Sequence, residues 1–260
     1  MSKINRLCAL AFGMVCGYPA TSWADHVLVG TDPTYFTTWE FRRAANGTCS
    51  KKPVPNSLFV DGTDSDDVLV VVDTTTVNNW CGQFTILPVQ PIPQPLLGLY
   101  IRGGGGNDVI WGGNATTASG RRAYELDGGA GNDTIFSGPT KHINGGEGAD
   151  FILMRTADDG VGFLIAGNGP DVICSDVPGW FVSSWAPTSP GSGESTYAYG
   201  GYQPAPGQPL ISDGFTDYFV GASRPGFVHD LVWWLYTADL LNACSNAMNA
   251  AFLHTWSALS

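Results

Sequence analysis

Six times along the chain an apolar residue stands two places before a short polar or glycine-rich block, and another stands two places beyond the aspartate that closes it. The leading positions are Val60, Ile101, Leu126, Ile143, Leu164 and Leu210, and the trailing ones are Leu69, Ile110, Ile135, Ile152, Ile173 and Phe219. Alternation of this kind on both sides of a tight corner predicts two short strands with every second side chain turned inward. Six such units in series predict an all-β chain wound as a parallel β-roll or β-helix solenoid, one corner of this type per coil.

Four copies of the corner are strong. They run Gly103 to Asp108, Gly128 to Asp133, Gly145 to Asp150 and Ala166 to Asp171. Two weaker copies flank them. One keeps Gly62, Asp67 and Leu69, and the other keeps only Asp217 and Phe219. The blocks resemble the GGxGxDxUx nonapeptide of the RTX, or hemolysin-type, calcium-binding repeats. That resemblance implies Ca2+ in the turns between stacked coils. The aspartates that match are Asp108, Asp133, Asp150 and Asp171, with Asp67 a weaker match. The resemblance further implies backbone carbonyls at Gly104, Gly106, Gly129, Gly131, Gly146, Gly148, Gly167 and Gly169. The spacing departs from the family. RTX repeats usually recur every nine residues, whereas successive aspartates here are 41, 25, 17, 21 and 46 residues apart. This implies a single-edged calcium ladder or an irregular β-helix rather than a regular two-edged roll.

Physical chemistry gives an independent reason for a cation. Parallel coils stack about 4.8 Å apart, and two carboxylates at that distance repel by roughly 3 kcal/mol at an effective dielectric near 20. Calcium accepts carboxylate and carbonyl oxygens together in a flexible shell, and glycine leaves those carbonyls unobstructed. The alternative is a metal-free β-helix whose Gly-Asn-Asp corners are ordinary turns.

The N-terminus and the cysteine count lead to the expectation of an exported chain. Lys3 and Arg6 precede the apolar run Leu7 to Cys16, and Ser22-Trp23-Ala24 suits a signal peptidase, so residues 1–24 are expected to be an export signal. A lipoprotein signal ending at Cys16 is disfavoured because Met14-Val15 lacks the small residue that should precede a lipidated cysteine. No later segment is long and apolar enough to span a bilayer. The formal net charge is -11, which excludes the basic stripe that nucleic acid requires. Four cysteines follow the signal: Cys49, Cys81, Cys174 and Cys244. In an exported chain they predict two disulfides. Three pairings are possible, and order favours Cys49 with Cys81 and Cys174 with Cys244.

The organisation expected is an N-terminal cap at 25–57, a solenoid at 58–220 with insertions at 73–98 and 177–209, and a C-terminal helical cap at 221–260. The aromatic cluster Tyr35, Phe36, Trp39 and Phe41 is expected in the core of the first cap. The prolines of Pro88 to Pro95 predict polyproline II. Near-helical spacing of Leu231, Leu235, Ala238 and Leu241, with no glycine or proline from Val228 onward, predicts the closing helices.

Catalytic signatures are missing from the sequence. The histidines His26, His142, His229 and His254 form no HExxH, and there is no GxSxG. The acidic clusters Glu125-Asp127 and Asp158-Asp159 could serve as acid and base only with a basic residue or a tyrosine to stabilise the developing anion, and Lys and Arg are sparse in this chain, so a solvated acidic face is expected. The expectation is an exported calcium-binding β-solenoid without enzymatic activity, structural or adhesive at the cell surface or outside the cell. A second expectation is a carbohydrate-binding or polysaccharide-modifying protein, with the aromatics of the second insertion, among them Trp180, Trp185 and Tyr202, as its ligand platform.

Overall fold

A computed structural model describes residues 24–54, 58–72, 75–89, 99–113, 124–137, 142–154 and 163–175, and the strands at 197–199, 217–221 and 232–235. These residues are all-β, with no helix among them. In chain order the strands are β1 (His26–Thr31), β2 (Thr38–Arg43), β3 (Cys49–Pro53), β4 (Leu58–Asp61), β5 (Val68–Val71), β6 (Val77–Trp80), β7 (Phe84–Ile86), β8 (Leu99–Gly105) and β9 (Val109–Trp111). They continue as β10 (Tyr124–Ala130), β11 (Thr134–Ser137), β12 (His142–Glu147), β13 (Phe151–Met154), β14 (Phe163–Ile165), β15 (Val172–Ser175), β16 (Tyr197–Tyr199), β17 (Asp217–Gly221) and β18 (Val232–Leu235).

Two sheets carry most of them. A six-stranded parallel sheet runs β4-β8-β10-β12-β14-β16, and a ten-stranded sheet runs β18-β17-β15-β13-β11-β9-β5-β1-β2-β3. The chain passes from the first sheet to the second at every glycine-aspartate corner, as from β8 to β9 or from β10 to β11. Only the β1-β2-β3 end of the large sheet is antiparallel.

Register turns the apolar repeat into columns. Val60, Ile101, Leu126, Ile143 and Leu164 are successive partners in the small sheet. Val27, Leu69, Ile110, Ile135, Ile152 and Ile173 are successive partners in the large one. Both columns belong to one buried cluster between the sheets. The large sheet also buries residues of its other face, among them Val70, Val109, Phe136, Phe151 and Val172. That is why Val68 to Val72 is a continuous apolar run rather than an alternating one.

Several expectations change. The place beside β14 is taken by β16, inside the stretch expected to be an irregular insertion, with Ala198 opposite Leu164; Leu210 lies outside the described residues. Residues 232–235 are a strand paired in parallel with β17, not part of a helix. The rest of the expected helical cap lies outside the described residues. So do the prolines from Pro91 to Pro95. The first half of the 73–98 insertion is an antiparallel hairpin, β6-β7, whose Trp80 and Ile86 are buried beside Leu28 and Phe41. A disulfide joins Cys81 in its turn to Cys49 on the edge strand β3. Cys174 is also disulfide-bonded; Cys244 lies outside the described residues. Of the cap aromatics only Phe41 is fully buried, while Tyr35 and Phe36 are 66% and 75% exposed at the β1-β2 connection.

Because Ile135 is fully buried in the column between the sheets, shortening it leaves a cavity that strands on both sides cannot close. Ile135→Ala should lower the unfolding free energy by about 2–5 kcal/mol, read from denaturant unfolding.

Candidate functional site

The corners stack so that their aspartates form one internal column. Asp67, Asp108, Asp133, Asp150 and Asp171 are each at most 1% exposed, an extreme burial for carboxylates. The first four are each locked to the next coil through their own backbone. The Asp67 N–H donates to Asp108 Oδ1 at 2.7 Å, Asp108 N–H to Asp133 Oδ1 at 2.7 Å, Asp133 N–H to Asp150 Oδ1 at 2.8 Å and Asp150 N–H to Asp171 Oδ1 at 2.8 Å. The carbonyls of Asp67, Asp108, Asp133 and Asp150 accept the N–H of Val109, Thr134, Phe151 and Val172 respectively. One carboxylate oxygen per coil therefore serves as a backbone acceptor.

Asp25 belongs to the same column. Its N–H donates to Asp67 Oδ1 at 2.7 Å, and its carbonyl accepts the Val68 N–H at 2.9 Å. By sequence it falls in the expected N-terminal cap, although Asp25-His26-Val27 repeats the spacing of Asp67-Val68-Leu69, which is the signal that reveals it.

The second carboxylate oxygen has a different fate. Oδ2 of Asp108, Asp133 and Asp150 is buried without a hydrogen-bond partner. A Cβ placed on Gly103 would lie 2.2 Å from Asp108 Oδ2 and 2.3 Å from the carbonyl oxygen of Gly128; one on Gly128 would lie 2.4 Å from Asp133 Oδ2 and 2.2 Å from Gly145 O. At Gly145 the corresponding atoms are Asp150 Oδ2 at 2.5 Å and Ala166 O at 1.8 Å. Carboxylate and carbonyl oxygens thus converge beside each of these glycines, acceptor toward acceptor, with no donor between them.

The glycines assigned by sequence build this packing. Gly131 and Gly148 have φ of 131° and 129°, and a Cβ on either would lie within 1.9 Å of the carbonyl oxygen of Gly106 or Gly131 in the neighbouring coil. Gly104, Gly106, Gly129, Gly146, Gly167 and Gly169 also have positive φ, so all eight line the corner. Outside the aspartates runs a shorter carboxamide ladder, in which Asn132 N–H donates to Asn107 Oδ1 at 2.8 Å and Asn107 N–H to Asp66 Oδ1 at 2.7 Å.

Burial is the main cause that holds the carboxyl protons, pushing Asp108 and Asp150 up to about 8 and Asp133 up to about 7. Neighbouring carboxylates push the same way, and the backbone N–H of the preceding aspartate opposes them. Burial raises Asp67 as well.

A metal ion fits this site in kind. Carboxylate and carbonyl oxygens are hard donors of the sort calcium takes, and the unpartnered buried oxygens supply the need. Among the described residues no three His, Cys, Asp or Glu side chains converge on one point, so the backbone would have to provide most of any coordination shell. The other sequence candidates are not drawn into the column. Asp127 lies on β10 and accepts from Asn144 Nδ2 at 2.9 Å, and His142 is half-buried on β12. Asp158, Asp159, Trp180 and Trp185 lie outside the described residues. In comparisons with known proteins, the chain matches no family model, no curated protein and no solved structure.

The raised carboxyls have a thermodynamic consequence. An unfolded aspartate loses its proton near 3.8, whereas the folded column keeps its protons to about 7 or 8, so the folded chain binds more protons across that window. Without a divalent cation, stability should be greatest below pH ~4 as far as these groups contribute, and should fall as pH rises to about 8. Thermal unfolding in chelator is expected to give a higher midpoint at pH 5 than at pH 8.5.

Proposed function

We propose that the chain is an exported β-solenoid whose stacked corners bind calcium, with a structural or adhesive role at the cell surface or outside the cell. The observation that carries this reading is the set of three buried Oδ2 oxygens, on Asp108, Asp133 and Asp150, placed beside the backbone carbonyls of Gly128, Gly145 and Ala166 without a donor. Leaving a buried acceptor unmet costs about 1–3 kcal/mol, and more when it is charged. A divalent cation meets carboxylate and carbonyl at once, and removes the repulsion between successive carboxylates. The chain supplies the rest: glycines that let carbonyls approach, N–H groups that fix each carboxylate, and a dry interior that strengthens every charge interaction.

Solenoid winding is the reading that joins the two sheets. Strands alternate between them, each corner sits over the last, and the columns run in register along both. The RTX resemblance gives the same geometry and the same ion. Such a ladder stays loosely held where calcium is scarce and tightens where calcium is abundant, which suits a protein that folds after export. The signal at 1–24 and the disulfide between Cys49 and Cys81 agree with an oxidising destination.

Circular dichroism of the chain after chelation, titrated with calcium and then separately with magnesium, tests the proposal at pH 8. A gain of β signal or of thermal midpoint with calcium but not magnesium is expected. Asp133→Asn and Asp150→Asn should each weaken that response while leaving the chelated protein unharmed or firmer, because an amide N–H can donate to the facing carbonyl. A spectrum and melting curve untouched by calcium in the parent chain would remove the proposal.

A further inference from the structure

The two N-terminal steps of the column differ from those that follow. Asp25 Oδ2 receives the guanidinium of Arg42, with Nη1 at 2.6 Å, and Asp25 Oδ1 accepts the Ala45 N–H at 3.3 Å. Arg42 is held in turn by Glu40 at 3.0 Å and by the carbonyl of Asp61. At the next step Asp67 Oδ2 accepts the hydroxyl of Thr63 at 2.9 Å as well as the Thr63 N–H. No such donor reaches the same oxygen of Asp108, Asp133 or Asp150.

The sequence change responsible is small. Thr63 occupies the position that is Gly104, Gly129, Gly146 and Gly167 in the later coils. Those glycines have φ between 102° and 121°, whereas Thr63 is not among the residues with positive φ. A threonine in the ordinary backbone region turns its own N–H and O–H onto the carboxylate four residues ahead. Glycine with positive φ lacks the hydroxyl and leaves the oxygen open. The carbonyl of Gly103 still approaches Gly62 alongside Asp67 Oδ2, so the step has the same convergence of oxygens but brings its own donors.

We infer that the chain supplies the first two steps of its column with donors of its own, Arg42 at Asp25 and Thr63 at Asp67, so that cation binding begins at Asp108. This rests on the calcium reading of the column. Strands β1 to β5 then form a preassembled template, needing no ion, on which the calcium-dependent coils stack in order. Thr63 is the residue that sets where the ion-binding part starts.

The experiment uses the full chain and counts bound calcium per chain by elemental analysis after gel filtration at pH 8. Thr63→Gly, which restores the residue of the later corners, is expected to hold one more calcium than the parent. Thr63→Ser, which keeps the hydroxyl, is expected to match the parent. Equal counts for parent and Thr63→Gly would overturn the inference while leaving the calcium reading in place, and a parent chain without calcium would overturn both. Hydrogen exchange of the unaltered chain in chelator provides a second test that depends on no variant. Amides of β1 and β5 should stay protected while those of β9, β11 and β13 exchange faster, with calcium restoring them. Loss of protection at β1 and β5 together with the rest would overturn the inference; protection unchanged everywhere would overturn the calcium reading with it.

Discussion

A carboxylate buried against a backbone carbonyl is the constraint on which the rest of this structure depends. Two acceptors cannot share a dry space without something positive between them, and the fold creates that situation repeatedly by stacking one glycine-aspartate corner on another. Every other feature of the corner follows. Glycine is needed because the neighbouring coil's carbonyl occupies the place of a side chain, as at Gly131. Aspartate is needed because one of its oxygens completes the backbone ladder, taking the N–H of the aspartate before it. Its other oxygen is then left over, and the identity of its partner sets the chemistry of each step.

The structure provides three kinds of partner along one column. Arg42 supplies a fixed charge, Thr63 supplies a hydroxyl, and the steps from Asp108 to Asp150 leave the place for a proton or a cation. On the proposed calcium reading, proton and cation would compete for the same oxygens, which would tie pH and metal together in a single equilibrium. Acidic conditions and calcium would then stabilise the same architecture by different means. Conditions more alkaline than about 8, without calcium, would leave the interior of the column charged.

Much of this arrangement was legible in the sequence, for a physical reason. Strand-corner-strand units impose a period of two on apolar residues and a fixed offset between glycine and aspartate, and neither depends on what lies between coils. The apolar columns through Ile110 and Ile135 and the stacking of the aspartates therefore follow from the repeat. What escaped were segments without that alternation. Val232 to Leu235 is a continuous apolar run, and periodicity alone does not separate a strand of that kind from a buried helix; neighbouring β17 decides it. The β6-β7 hairpin is polar along much of its length and is anchored by Trp80, Ile86 and a disulfide, none of which follows a repeat. No glycine block precedes Asp25, so only its register with Asp67 shows its role. At Thr63 a glycine of the repeat is replaced by a residue that donates to Asp67, which no glycine-aspartate spacing reveals.

The exchange between proton and cation is the centre of this account, and titration calorimetry measures it directly. Calcium would be added to the chelated chain near pH 7 in two buffers of different ionisation enthalpy, and the protons released per ion bound would be taken from the difference in heat. Binding accompanied by proton release, and by less release as pH is raised past about 8, is the predicted result. Absence of binding heat, or binding that releases no protons at any pH between 6 and about 8, would contradict the claim that ion and proton occupy the same buried oxygens.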